Sequence, residues 1–413
     1  MYNDTSVGDG WDQAQVGFRT DWRNAQRSLT LQGDAYDNKS EVRALGGTVE
    51  ASGGNILARW TRSLADGSNL RVQGYYDHTE RTDNFLLQER ADLFDVELHH
   101  GIPLDGHYVQ WGAGHRHARD DSDPGLLFAF IPGSRKLDWA NVYGQDEIRL
   151  RRNLSLTLGV RVERNDYIGV EALPNARLGW KLSPERLVWL SLSRAVRAPA
   201  RLDREIFTPS RPPFFIVGGP DFQSEVVKAV EAGYRAQPLS SLSYSLTAYH
   251  QIYDKLRSGQ LLPNGQLVID NRIEGTVSGI EAWGHWQATS NWRLSAGVNA
   301  MHKDFHLRPE SNDPVGPGNL GNDPEYQWQL RSSLDLTEQH EFNVQVRRVG
   351  ALPTPAVPAY TAVDARYGWR VDKRLELSVT AQNLFDPSHP EFGTLASRSE
   401  FQRGVFVKLL WRQ

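Results

Sequence analysis

Apolar and polar residues alternate with a period of two along most of the chain. Between Leu154 and Glu163 the even positions Leu154, Leu156, Leu158, Val160 and Val162 are apolar, and every odd one is polar or Gly. Trp292, Leu294, Ala296, Val298 and Ala300 alternate in the same way with Arg293, Ser295, Gly297 and Asn299. Shorter stretches repeat the pattern at Phe342, Val344 and Val346, at Leu375, Leu377, Val379 and Ala381, and at Leu29, Leu31 and Ala35. Period two is the signature of a strand whose two faces meet different surroundings. The longer runs reach about ten residues, enough to cross a bilayer when tilted. The pattern predicts an all-β chain of about 19 strands.

The connections between these segments sort into two kinds. Short ones fall at Arg23–Gln26, Ala65–Ser68, Arg151–Asn153, Ser183–Arg186, Gln237–Ser241, Ser290–Asn291, Thr337–His340 and Val371–Lys373. Between them lie mostly longer ones, at Arg119–Lys136, Ala198–Phe222, Arg257–Asn271, His306–Asn322 and Pro387–Ser399. Tight turns at one end and long loops at the other are the pattern of a transmembrane antiparallel β-barrel. Parity adds a second expectation. With the short turns in the periplasm, both the first strand, near Trp11–Trp22, and the last descend through the membrane. Single-chain bacterial barrels have even strand numbers, and an open edge in lipid leaves backbone groups unpaired. About 19 strands are therefore expected to be part of a 22-stranded barrel, with further strands upstream. Met1-Tyr2-Asn3-Asp4-Thr5-Ser6 has neither a basic nor an apolar leader region, which points the same way.

Composition narrows the alternatives. No run of about 18 apolar residues occurs and mean hydropathy is −0.53, so helical membrane spans are excluded. A barrel strand shows lipid only every second residue, so low mean hydropathy is compatible with it. The 13 Trp, 14 Tyr and 15 Phe suit aromatic girdles, and a net charge of −4 gives no nucleic-acid footprint. The absence of Cys removes disulfides and thiolate metal sites. No nucleophile elbow, His-Glu-x-x-His or phosphate loop is present, and no catalytic activity is expected.

Several segments resemble one family. Ser193-Arg194-Ala195-Val196-Arg197-Ala198-Pro199 is similar to a strand end of TonB-dependent outer-membrane receptors. Ser224-Glu225 with Glu231-Ala232-Gly233-Tyr234-Arg235, then Tyr249, Tyr253-Asp254 and Leu256-Arg257-Ser258, then Gly279-Ile280-Glu281, resemble the family's next strands in order. Asn383-Leu384-Phe385-Asp386 and the closing Arg403–Trp411 resemble its final motif and terminal strand. The resemblance implies an integral outer-membrane barrel, residues 1–413, that works in TonB-dependent uptake of a ferric siderophore or similar nutrient complex. It also implies contacts with lipid and lipopolysaccharide, and with the barrel-assembly machinery. The family's plug domain, through which the TonB complex acts, has no counterpart here, so an N-terminally truncated receptor is expected. The family usually ends on an aromatic residue, whereas this chain ends Trp411-Arg412-Gln413. The competing readings are a passive porin-like channel, a cobalamin or oligosaccharide receptor, and a surface adhesin.

Ferric siderophores are often anionic and aromatic, so basic and aromatic loop residues are the candidate contacts. Arg135, Lys136 and Trp139 close one long connection. Arg197, Arg201, Arg204, Phe207, Arg211, Phe214 and Phe215 lie in or beside the Ala198–Phe222 loop, and His302, Lys303 and His306 lead into a third. Of these, Arg135, Trp139, Arg197, Arg201, Phe207, Phe214, Phe215, His302 and Lys303 form the expected ligand set. Neither a cofactor nor a metal is expected. Asp120, Asp121 and Asp123 match no calcium-loop spacing. His99 and His100 point to opposite strand faces, and His115 with His117 suits a girdle position better than a metal site.

Overall fold

The period-two segments all become strands. The computed structural model describes residues 10–42, 47–395 and 398–412, so the start at Met1–Ser6 lies outside the described residues. The first strands are β1 (Trp11–Arg23), β2 (Arg27–Val42), β3 (Gly47–Ser63), β4 (Asn69–Asp83), β5 (Leu87–Leu104) and β6 (His107–Pro124). Next come β7 (Ser134–Arg151), β8 (Leu154–Asn165), β9 (Val170–Ser183), β10 (Arg186–Arg197), β11 (Glu225–Leu239) and β12 (Leu242–Leu261). The last are β13 (Leu267–Thr289), β14 (Trp292–Leu307), β15 (Tyr326–Asp335), β16 (His340–Val349), β17 (Tyr360–Arg370), β18 (Leu375–Gln382) and β19 (Gly404–Trp411). Each pairs antiparallel with its neighbours in sequence, so these 19 strands form one meander. The main sheet has 22 members because three short loop segments join it, and that count says nothing about the expected 22 staves. Among the described residues β1 pairs only with β2, and β19 only with β18.

Face assignment follows from register. Val160 pairs with Pro174, Ala176 with Leu192 and so on around the sheet, and these even positions share a face with the alternating apolar residues. That face is open: Val16 is 72% exposed, Val407 69% and Leu409 65%. A continuous apolar belt of this kind has a physical rationale only against lipid. No helix among the described residues is long and apolar enough to cross a membrane. The opposite, polar face carries Arg161 bonded to Glu163, Asn299 bonded to Glu281, and Arg347 bonded to Glu391.

All connections at one end are short, and the turn at 105–106 joins those expected from sequence. Asn24 Oδ1 accepts from the Gln26 and Arg27 amides, and Asp372 Oδ1 from those of Arg374 and Leu375. These are side-chain-closed turns. Asp66 does the same for Ser68, whose hydroxyl and amide hold its carboxyl below the ordinary range.

The other end corrects two of the expected loops. Arg119 is still in register with Lys136, leaving only 125–133 as connection. Arg257–Asn271 is mostly a continuation of β12 and β13, turning at 262–266. Above the bilayer both strand faces meet water, so alternation fades while the backbone ladder continues. One ladder stops early. Between β9 and β10 it ends at Asn175 opposite Ser193, next to Pro174, which has no amide to donate. Arg194 Nη1 fills the gap by donating to the Ala172 carbonyl at 2.6 Å.

The face assignment has a direct test. Leu158→Arg puts a cation in the middle of the apolar belt and is expected to lower unfolding stability in lipid vesicles by about 2–4 kcal/mol. Thr157→Arg, on the lumen face opposite Glu147, is expected to change it by about 0.5 kcal/mol or less. Urea titrations of the vesicle-embedded protein measure both, and equal costs would contradict the assignment.

Candidate functional site at the outer mouth

The loop between β10 and β11 is built on charge. The odd residues of β10 face the lumen, so its last one, Arg197, enters the mouth. Its Nε donates to Glu225 at 2.5 Å and its Nη1 to Asp203 at 2.9 Å. Pro199 ends the strand, and one helical turn follows at Arg201–Arg204. Asp203 is 1% exposed and also accepts from the Ala200 amide, which caps that turn.

Arg201 is 6% exposed and lies at the centre of the network. It donates to Glu205 at 2.8 Å, to the carbonyls of Pro132 and Gly133, and stands 3.0 Å from Asp120. Its guanidinium also lies over the Phe130 ring. Glu205 accepts from the Tyr167 hydroxyl at 3.0 Å, and Arg135 Nε approaches it at 3.3 Å off the hydrogen-bond line. Burial first, and the nearby Glu205 charge second, push the Tyr167 phenol well above its ordinary pKa, so it stays a donor. Arg204 binds the carbonyl of Phe222, whose side chain is 1% exposed.

The loop then joins the sheet. Ile206–Thr208 pairs with Ala129–Phe130 and with Ile216–Val217, and the latter runs parallel to Leu267–Val268 of β13. Gly218 and Gly219 permit the close approach this needs: a Cβ there would lie 2.2 Å from the Arg204 carbonyl oxygen and 1.9 Å from that of Ile269. Above this base stands the apex at 209–215. Phe207 packs on Phe214 with ring centroids 5.0 Å apart. Phe215 is 55% exposed, and Arg211 is exposed with no ion pair among the described residues.

These positions divide the expected ligand set. Arg197 and Arg201 are struts of the loop base, and Arg135 leans on the same acid, Glu205. Phe207 and Phe214 pack the loop. Trp139 is half-buried on the lumen face of β7, opposite Arg116 and Asn165. Lys303 faces inward but is held by Asp323 at 2.8 Å and by the Gly321 carbonyl. His302 is corrected outright. Its register with Ser278, between Ala300 and Asp304, puts it on the lipid-side face, away from the mouth. His306 shares that face and lies 3.4 Å from Glu274. The acids that complete the network, Asp203, Glu205 and Glu225, were missed. Arg201-Leu202-Asp203-Arg204-Glu205 alternates sign within five residues, a signal for mutual pairing rather than for free cations.

The acidic run is also committed: Arg119 binds Asp121 at 2.8 Å, and Asp120 faces Arg201. Among the described residues no group of three or more His, Asp or Glu side chains is placed to hold a metal. His115 and His117 both approach Asp138 on the outward face, at 3.3 and 2.9 Å. His99 bonds Tyr143 whereas His100 stands edge-on to Trp111.

Comparison with known proteins agrees with this architecture. The family model described as TonB dependent receptor-like, beta-barrel matches residues 2–384. The ferric enterobactin receptor of Pseudomonas aeruginosa superposes with a TM-score of 0.77 at 14% identity, over 97% of this chain and 69% of that one. A siderophore receptor from Acinetobacter baumannii gives 0.76 at 13%, over 98% and 71%. A copper transporter gives 0.75 at 13%, over 97% and 72%. At such identities the likeness speaks for the fold. No curated protein matches the sequence.

The strut role predicts a local effect. Arg201→Ala strands Glu205 and Asp120 without their buried partner, a loss of about 3–5 kcal/mol. The expected outcome is rapid trypsin cleavage after Arg204, in the same loop, with the barrel strands still protected from hydrogen exchange. Unchanged cleavage would remove the strut assignment.

Proposed function

The chain belongs to the TonB-dependent receptor β-barrel family, whose members are integral outer-membrane transporters and not enzymes, and on that premise we propose that it serves uptake of an anionic ferric siderophore. One observation supports this cargo above others: Arg211 and Phe215 stand exposed on an apex whose base is locked by buried ion pairs. The amide of Phe215 donates to the Thr208 carbonyl, and Leu267 donates back to the Phe215 carbonyl at 2.7 Å. The apex is thus a rigid platform offering a guanidinium with no ion pair among the described residues and an aromatic face. Both suit a metal complex with negative charge and catechol-like rings. Arg257, part-exposed 3.7 Å from Asp203, and Trp139 line the approach below it.

In this reading ligand is captured at the outer mouth and passes along the polar lumen wall of Glu281, Asn299 and Arg347. Energy coupling runs through a plug domain engaged by the TonB complex, not through the barrel wall. The terminal strand β19, with Val405, Val407, Leu409 and Trp411 on its lipid face, is the segment offered to the barrel-assembly machinery. The whole chain acts as a single barrel unit.

A trianionic ferric tris-catecholate is the probe of choice. Tryptophan quenching in the purified protein is expected to show saturable binding, weakened about 10-fold, or about 1.4 kcal/mol, by combined Arg211→Ala and Phe215→Ala. Neutral cobalamin is expected to bind far more weakly. A steady ohmic conductance in planar bilayers, with no saturable quenching by the ferric complex, would replace this reading with a passive channel.

A further inference from the structure

Low on the lumen wall, β9 to β11 place an aromatic ring among cations that the mouth does not use. Trp189 is on the inward face of β10, opposite Gly179 of β9 on one side and Gly233 of β11 on the other. A Cβ on Gly233 would lie 2.4 Å from the indole, so the half-buried ring rests against that glycine. Its N–H has no acceptor among the described residues. Trp189 is four residues above Glu185 of the short turn at 184–185. At a strand rise of about 3.3 Å and a tilt of about 40° that is about 10 Å. Arg197, at the mouth end of the same strand, is eight residues higher, or about 20 Å.

Three cations stand diagonally about Trp189. Arg177 and Lys181 lie two residues above and two below Gly179, and Arg235 lies two below Gly233. Diagonal neighbours on paired strands are about 7–8 Å apart, within reach of long side chains. All three are exposed, and none has a side-chain hydrogen bond or ion pair among the described residues. The fourth diagonal position is Glu231. Arg149 of β7 lies farther along the Trp189 row, beyond Ser155, and is likewise exposed and unpaired. On that row and the one below it, no acid among the described residues faces the lumen from β7 to β12.

The other wall handles its low cations differently. Arg293 meets Asp335, Arg366 bonds Glu341 and Glu376, and Arg412 faces Glu376. Lys181 and Arg235, by contrast, are two strands or about 10 Å apart with no acid between them, close to one Debye length, so they repel. Stability alone gains nothing from such an arrangement. It suits an anion that arrives from outside.

We propose that this wall is a second cargo subsite near the lumen exit, binding an aromatic polyanion with its rings on Trp189 and its charges on Arg177, Lys181 and Arg235. The site stands on this wall alone; that its occupant is the ferric complex rests on the function proposed above. Cations by themselves would suit an acidic protein segment. The indole at their centre favours a ligand with rings of its own, and three cations match a trianion. Cargo leaving Arg211 at the mouth thus descends towards a wall with more unanswered positive charge.

Fluorine NMR of the full chain in micelles, labelled with fluorotryptophan, tests this. The resonance missing from Trp189→Phe belongs to Trp189. High-spin ferric iron broadens nearby nuclei, so ferric tris-catecholate is expected to broaden that resonance saturably. Combined Arg177→Gln, Lys181→Gln and Arg235→Gln is expected to raise the half-broadening concentration about 10-fold. Combined Arg211→Ala and Phe215→Ala is expected to leave it unchanged. Heat-modifiable migration confirms that each variant is folded. A Trp189 resonance that stays sharp while the mouth binds the complex overturns the subsite alone. Broadening of Trp189 without binding at the mouth supports the subsite and overturns the mouth reading instead. Equal broadening in the folded triple variant overturns the role of the cations. Polyglutamate that shifts the resonance at lower carboxylate concentration than the complex would replace the aromatic anion with an acidic segment.

Discussion

A backbone amide or carbonyl in hydrocarbon has no water to turn to, and leaving one unpaired costs several kcal/mol. That constraint shapes the whole molecule. It forces a continuous ladder and therefore an antiparallel meander with turns too short to leave groups free. It also explains the response to Pro174. The ring removes one donor, the ladder to β10 ends beside it, and the Arg194 side chain supplies a donor to the Ala172 carbonyl instead. An arginine on the outward face is otherwise hard to justify so close to lipid.

The same constraint relaxes above the membrane, and the chemistry of both faces changes there. Outward positions become charged: Lys39 meets Glu50, Arg90 meets Glu80, and His78 meets Asp92. These pairs are exposed, so each contributes little stability. Their value lies in keeping long unalternating strands soluble while the ladder continues. Inside the mouth the pairs are buried and directional. Asp203 cannot be parted from Arg197, nor Arg201 from Glu205, without leaving a charge in a dry site.

Strand number and loop sorting were legible in sequence because lipid imposes a strict binary pattern on the membrane-spanning segments. Loop lengths were not, since pairing above the bilayer leaves no periodic trace. That is why Arg257–Asn271 reads as a loop yet folds as a hairpin. The candidate site was legible by region rather than by residue. Composition located the Ala198–Phe222 loop, but a sequence does not say which arginines have partners. Arg201 and Arg211 look alike in the chain. One is enclosed by Glu205, Asp120 and two carbonyls, and the other has no ion pair among the described residues. His302 is a simpler case: its parity with Val298 and Ala300 already assigns it to the lipid-side face.

The buried ionic base of the loop also limits how this protein can move. A loop over a polar lumen has no large apolar core beneath it, and Phe222, Ile269 and Ile273 supply only a small one. An all-apolar base of equal volume can be as stable, but it lacks the directionality that ties each partner to one place. Here Arg201 joins the loop to the 125–133 connection through Pro132 and Gly133, and Ile216–Val217 joins it to β13. Three outer connections are thereby one body. A ligand on Arg211 and Phe215 cannot pull the apex inward by bending the loop alone. It must either move the 125–133 segment and the 262–266 turn together, or leave the loop fixed and act on whatever fills the lumen below. The density of buried pairs favours the second, so under the proposed function the mouth is a fixed collar and any moving part belongs inside the barrel.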